Sequence, residues 1–110
     1  MTHELTTAVH TAPDGTVHLA VTGDLDFRTA PTLRAAVDQA PLLPGTTLVI
    51  DLTELEFCDS SGLTTLLAAR RRAETAEARL ALAGASAQLL RTFELTGLQE
   101  LFTLLPASGS

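Results

Sequence analysis

The chain has 110 residues, a net charge of −6 and an apolar fraction of 45 %, which is enough for one domain with a core. The acidic balance argues against nucleic-acid binding, because a phosphate backbone is bound by clustered Lys and Arg. Cys58 is the only cysteine, so an intrachain disulfide and a cysteine-based zinc site are excluded. We see neither a signal peptide nor a membrane-spanning apolar run. The composition therefore predicts a single soluble, cytoplasmic domain over residues 1–110.

The first elements expected are two strands and a helix. Apolar and polar residues alternate over residues 5–10 and again over 17–22, with turn residues at 13–15 between them. This pattern predicts a hairpin of two half-buried strands. A helix should follow, with Thr29 as its N-cap and Pro31 in its first turn, where the missing N–H costs nothing.

The middle of the chain is predicted to pass from a strand to a helix. Residues 47–50 are continuously apolar, which is typical of a strand buried on both faces. Residues 51–56 are expected to form a polar connection. The segment Phe57–Leu63 then leads into a second helix, which the apolar stripe extends to Ala76.

The last third of the chain predicts a strand, a helix and a strand. Residues 79–83 read as the first strand, and the helix is delimited by Ser86 as its cap and Gly97 as its stop. Residues 101–105 form the last strand. The resulting order, β-β-α-β-α-β-α-β, implies parallel crossovers after an antiparallel hairpin. We therefore expect an α/β fold with a mixed, mostly parallel sheet packed against helices and a core over residues 5–105.

Catalysis by a serine has little support in this sequence. A nucleophilic serine needs a base and usually a Gly-x-Ser-x-Gly turn, which is absent. The three histidines (His3, His10 and His18) all fall in the hairpin, where a solvated position explains them. No catalytic residue, metal site or cofactor is predicted, although an enzyme built on Ser60 stays an alternative.

Two further features have structural interpretations. The triplet Arg70–Arg72 spreads around a helix and has acidic residues nearby, which is typical of a solvated, salt-bridged surface. Cys58 lies between Phe57 and Asp59, and we expect a buried, inert thiol there because a carboxylate disfavours a thiolate.

The junction before the second helix is the strongest candidate site. Either Asp59 or Ser60 can cap the helix, whereas Gly62 in the first turn costs about 0.5–1 kcal/mol relative to Ala. A neighbouring element or a partner must therefore approach closely. A phosphate on Ser60 would add about 1.5–2 negative charges, which the helix dipole tolerates. If the second and third strands are neighbours, the loop with Asp24 and Asp26 adds to the acidic surface around Asp59. A partner that buries the modified hydroxyl would have to desolvate a dianion, so the modification would act as a binding switch.

Two blocks of the sequence carry a family resemblance. Residues 21–26 with Thr29–Pro31 form the first block, and residues 48–52 followed by 57–63 form the second. In this order and spacing they resemble the STAS family, specifically the bacterial anti-sigma factor antagonists. The resemblance extends over roughly residues 5–105.

The resemblance implies that Ser60 is a phosphoacceptor and that the chain is a switch and a kinase substrate, not an enzyme. Ser61 is expected to cap and position the loop, and Gly62 to let a partner's backbone come close. The partner-binding residues that it implies are Asp24, Asp26, Thr29, Asp59, Ser61, Gly62 and Leu63.

The partner implied is an anti-sigma factor with serine kinase activity. The unphosphorylated chain would bind it and release a sigma factor, and a phosphatase acting on phosphorylated Ser60 would restore binding. The alternative is an accessory subunit of a transport complex, such as a lipid-transport ATPase, or of a stress-signalling assembly. The sequence leaves the oligomeric state open between a monomer and a homodimer.

Overall fold

A computed structural model of the chain describes residues 4–107. The predicted α/β order is confirmed, with a short 3-10 helix (Leu98–Leu101) added before the last strand. The elements are β1 (Thr6–Thr11), β2 (Val17–Leu25), α1 (Ala30–Gln39), β3 (Thr47–Cys58), α2 (Ser60–Thr75), β4 (Arg79–Ala83), α3 (Ala87–Thr96) and β5 (Thr103–Leu105).

The strands form one mixed sheet in the order β1-β2-β3-β4-β5. β1 and β2 are antiparallel, and every later neighbour is parallel. Parallel crossovers are right-handed, so successive crossovers in one direction place all three helices on the same face of the sheet. Leu19, Ile50 and Leu82 lie side by side on that face, fully buried, and share the main core with helical residues such as Leu66 and Phe93.

The predicted polar connection over residues 51–56 is wrong, because β3 runs without a break from Thr47 to Cys58. Its pairing with β4 ends at Asp51, so the second half of β3 is bonded to β2 alone. That half is therefore largely exposed, which permits polar side chains in a strand. Two register shifts against β2 also disturb its alternation.

The two ends of the sheet differ in detail from the prediction. β1 is an edge strand and is mostly exposed beyond Leu5 and Thr7, with Val9 48 % exposed, so it is not half-buried as expected. The last strand covers only Thr103–Leu105. No described helix is both long enough and apolar enough to cross a membrane.

The predicted start and end of α3 are both confirmed. The Ser86 hydroxyl accepts a hydrogen bond from the backbone N–H of Leu89, and Gly97 ends α3 with φ of 76°. These contacts set the two ends of α3, which lines a pocket together with the C-terminal end of β3.

Candidate functional site

The candidate site lies at the carboxyl edge of the sheet, where β2 and β3 end and α2 begins. Leu25 pairs with Cys58, and the backbone N–H of Asp59 donates to the Leu25 carbonyl at 3.1 Å. The loop after β2 and the start of α2 are therefore adjacent, which confirms that the two sequence blocks meet in space.

Asp59 is the N-cap of α2. Its side-chain Oδ1 accepts from the backbone N–H of Gly62 at 3.1 Å, and its carbonyl accepts from the backbone N–H of Leu63 at 3.1 Å. The capping role expected for Ser61 is wrong, because Ser61 lies inside the first turn and uses its carbonyl to accept from the Thr65 hydroxyl.

Ser60 is the first residue of α2 and its side chain is exposed. Because Asp59 supplies the cap, the Ser60 hydroxyl is not needed for helix initiation. Within residues 4–107 the only hydrogen bond at Ser60 outside the helix backbone is made by its carbonyl, which accepts from the Thr64 hydroxyl at 3.0 Å. The hydroxyl is thus presented to solvent at the positive end of a helix dipole.

Gly62 is buried against the protein's own strands. A Cβ there would lie 2.6 Å from Cys58 Sγ and 2.9 Å from Leu25 Cγ. The close approach that requires glycine therefore comes from the end of β2 and from Cys58. This corrects the expectation that a partner's backbone comes close at Gly62.

Cys58 packs beneath the junction with a protonated thiol. Burial, with a smaller contribution from the Asp59 carboxylate, raises the pKa of Cys58 to about 12. A thiol held in this form is a poor nucleophile, in agreement with the inert role expected for it.

The loop between β2 and α1 is held rigid by Thr29 and Asp26. The Thr29 hydroxyl donates to the Asp24 carbonyl at 2.7 Å and accepts from the backbone N–H of Asp26 at 2.9 Å. Asp26 Oδ1 accepts from the backbone N–H groups of Arg28 and Thr29 at 2.9 and 3.0 Å. Thr29 occupies the N-cap position as predicted, yet its side chain bonds no helix N–H and is buried, so it positions the loop instead of facing a partner.

Two aromatic residues, Phe27 and Phe57, lie at the same edge of the sheet as Ser60 and were not among the predicted site residues. Phe27 is 77 % exposed in the middle of the rigid loop, and Phe57 is 52 % exposed at the end of β3, paired in register with Asp24. The sequence did contain a signal for Phe27: it lies between Asp26 and Arg28 in a loop without an apolar pattern, where a large apolar side chain is expected to be exposed. Both residues lie at the carboxyl edge of the sheet, where α2 begins with Ser60.

The described histidines are far from Ser60. His10 and His18 face each other across the hairpin with ring centroids 5.7 Å apart, and His18 pairs in register with Val49 near the start of β3. Seven residues separate His18 from Leu25, about 23 Å along a strand. His3 lies outside the described residues. The described part of the chain also contains no group of three or more His, Cys, Asp or Glu residues that could hold a metal ion.

The comparisons with known proteins agree with this geometry. The sequence model of a family described as "Mlab, STAS domain" matches residues 9–106. A protein of Listeria monocytogenes named anti-sigma-B factor antagonist is 33 % identical over 93 residues, which cover 84 % of this chain and 82 % of that protein.

Solved structures show the same fold. The crystal structure of an anti-sigma factor antagonist from Mycobacterium paratuberculosis superimposes with a TM-score of 0.78 at 32 % identity, over 96 % of this chain and 88 % of that one. The Bacillus cell fate determinant SpoIIAA in its phosphorylated form gives a TM-score of 0.71 at 23 % identity, over 94 % and 93 % of the two chains. The match over residues 9–106 and the Listeria relative together show that this chain belongs to the STAS domain family.

Proposed function

We propose that the chain is a cytoplasmic anti-sigma factor antagonist whose binding to its partner is controlled by phosphorylation of Ser60. The observation that carries this proposal is the exposed Ser60 hydroxyl at the start of α2, next to a helix cap already supplied by Asp59. A side chain that is released from capping and exposed is accessible to a kinase. No described histidine lies near enough to make it a nucleophile instead.

The relatives support this function and the identity of the partner. The Listeria and Mycobacterium proteins are both called anti-sigma factor antagonists at above 30 % identity, and each match covers more than four fifths of both chains. SpoIIAA exists in a phosphorylated form. The partner of this chain is then an anti-sigma factor with serine kinase activity, and a phosphatase reverses the modification.

The switch acts through desolvation and repulsion inside the partner. A kinase that modifies Ser60 must place the γ-phosphate of ATP and a catalytic carboxylate beside the hydroxyl. The neutral hydroxyl fits that environment, whereas a phosphate of about −1.5 to −2 charge meets negative groups in a partly dehydrated interface. Basic residues of the partner would attract Asp24 and Asp26 equally in the phosphorylated and the unphosphorylated chain. That attraction therefore does not offset the repulsion of the phosphate.

The domain itself should tolerate the modification. Ser60 is exposed and stands at the positive end of α2, where negative charge stabilises a helix by about 0.3–1 kcal/mol. Phosphorylation therefore changes binding without unfolding the protein, and so does a mimic of the phosphate.

The test is calorimetric titration of the cognate anti-sigma factor with wild type, Ser60→Ala and Ser60→Asp. We expect Ser60→Ala to retain binding and Ser60→Asp to lose at least tenfold in affinity with an unchanged melting temperature. Gln99→Asp is the matched control, since it adds the same charge to an exposed position of the 3-10 helix that precedes β5, at the opposite edge of the sheet. Full binding by Ser60→Asp would refute the switch and would favour a constitutive subunit of a transport or signalling complex.

A further inference from the structure

A groove of about 210 Å³ runs along the seam between α1 and α2. Arg34 lines it from α1, and Arg71 and Arg72 line it from α2. Its floor includes small alanine side chains, which leave the space open. Asp38 is the only acidic residue among the lining residues.

The groove gathers positive charge in an acidic protein. Three of the chain's seven basic residues line it, although the net charge is −6. No described hydrogen bond or salt bridge engages these three guanidinium groups. Arg70 differs, since its Nε donates to the Leu101 carbonyl at 2.8 Å and its Nη1 pairs with Glu74 at 3.4 Å. The interpretation of the Arg70–Arg72 triplet as a salt-bridged surface therefore describes Arg70 alone.

Like charges that share one groove repel each other, and a bound anion relieves that repulsion. The guanidinium group has a planar fork of donors that matches the oxygens of a phosphate. The groove is open to solvent and, at about 210 Å³, is large enough for a phosphate with a small substituent. We propose that the α1/α2 groove binds a small phosphate-bearing anion, independently of Ser60.

The size of the ligand follows from the charge of the whole protein. An extended polyanion would approach surfaces that carry most of the thirteen acidic side chains, and the field of a molecule with net charge −6 repels it. A small anion contacts the groove alone. The groove therefore favours a soluble phosphorylated compound over an anionic bilayer.

The direct test is an NMR titration of the arginine Nε–H signals with inorganic phosphate and with pyrophosphate, against sodium chloride at constant ionic strength. We expect saturable shifts at Arg34 and Arg71, with pyrophosphate binding more tightly than phosphate. Arg34→Gln and Arg71→Gln should each reduce the affinity at least tenfold. Both side chains are exposed, so an unchanged melting temperature is the check on folding.

Arg91→Gln is the matched control, because it removes the same charge from an exposed position on α3. Its affinity should stay within twofold of wild type. Shifts that never saturate, or an equal loss in Arg91→Gln and Arg71→Gln, would overturn the proposal by showing general charge attraction. Vesicles of phosphatidylglycerol distinguish a lipid headgroup from a soluble compound as the source of the phosphate. Vesicle binding by the wild type that is lost in Arg71→Gln would identify a lipid headgroup. Binding of pyrophosphate without binding of vesicles would identify a soluble ligand.

Discussion

Replacing Gly62 by alanine should destabilise the domain, although alanine is the better helix former. The added Cβ would lie 2.6 Å from Cys58 Sγ, 2.9 Å from Leu25 Cγ and 3.1 Å from Leu25 Cδ2. Both neighbours belong to strand ends that are bonded to each other, so they have little freedom to retreat. The first turn of α2 must therefore shift or the side chains must leave their preferred rotamers.

The magnitude follows from two opposing effects. Overpacking a well-packed site costs about 1–3 kcal/mol. Alanine recovers about 0.5–1 kcal/mol through its helix propensity relative to glycine. The net loss in the free energy of unfolding is then between about 0 and 2.5 kcal/mol, centred near about 1 kcal/mol. Each kcal/mol lowers the melting temperature of a domain of this size by about 4–8 °C.

The assay is urea denaturation followed by circular dichroism, with Ser61→Ala as the control in the same turn. Ser61→Ala should leave stability unchanged or slightly higher, because it gains propensity without a clash. Cys58→Ala in the Gly62→Ala background should recover part of the loss, since it removes Sγ, the nearest of the clashing atoms. A Gly62→Ala protein at least as stable as wild type would refute the packing explanation. It would favour the alternative, that glycine is needed because a partner approaches there.

Two further outcomes are expected. Phe27→Ala should weaken binding of the anti-sigma factor at least tenfold in calorimetry without changing stability. Leu95→Ala is the control, because Leu95 is equally exposed at 78 % on α3, and it should change neither affinity nor stability. Equal affinities of the two variants would show that Phe27 is not part of the interface. The pKa of Cys58 is about 12 in the folded protein and 9.0 for an ordinary thiol, so as the pH rises the unfolded chain loses this proton before the folded one does. Deprotonation therefore favours the unfolded state, and the stability measured in urea should fall from pH 9 upward in wild type but less in Cys58→Ser. An identical pH dependence in both proteins would contradict the raised pKa.

Features that depend on a few consecutive residues could be predicted from the sequence. Ser86 and Gly97 are recognisable helix ends because a cap is made within one turn. The strand over Arg79–Ala83 was also predicted, from a weak alternation and from the glycine that follows it.

Features that depend on distant pairing could not be predicted in this way. The second half of β3 is polar because it extends past β4, and only the register of the sheet reveals that. Part of the reason for Gly62 lies in Leu25, which is 37 positions earlier in the sequence. The Thr29 hydroxyl is a short-range exception: it was assigned to the helix cap, and only the conformation of the folded loop shows that it bonds Asp24 and Asp26 instead.

The phosphorylation of Ser60 can be tested most directly by incubating the chain with ATP and its cognate kinase and mapping phosphate by tandem mass spectrometry. We predict a single phosphate on Ser60, absent from Ser60→Ala and retained in Ser61→Ala. Phosphate on Ser61 or Thr64, or an unmodified chain with a kinase that is active on another substrate, would contradict the assignment of Ser60 as the switch.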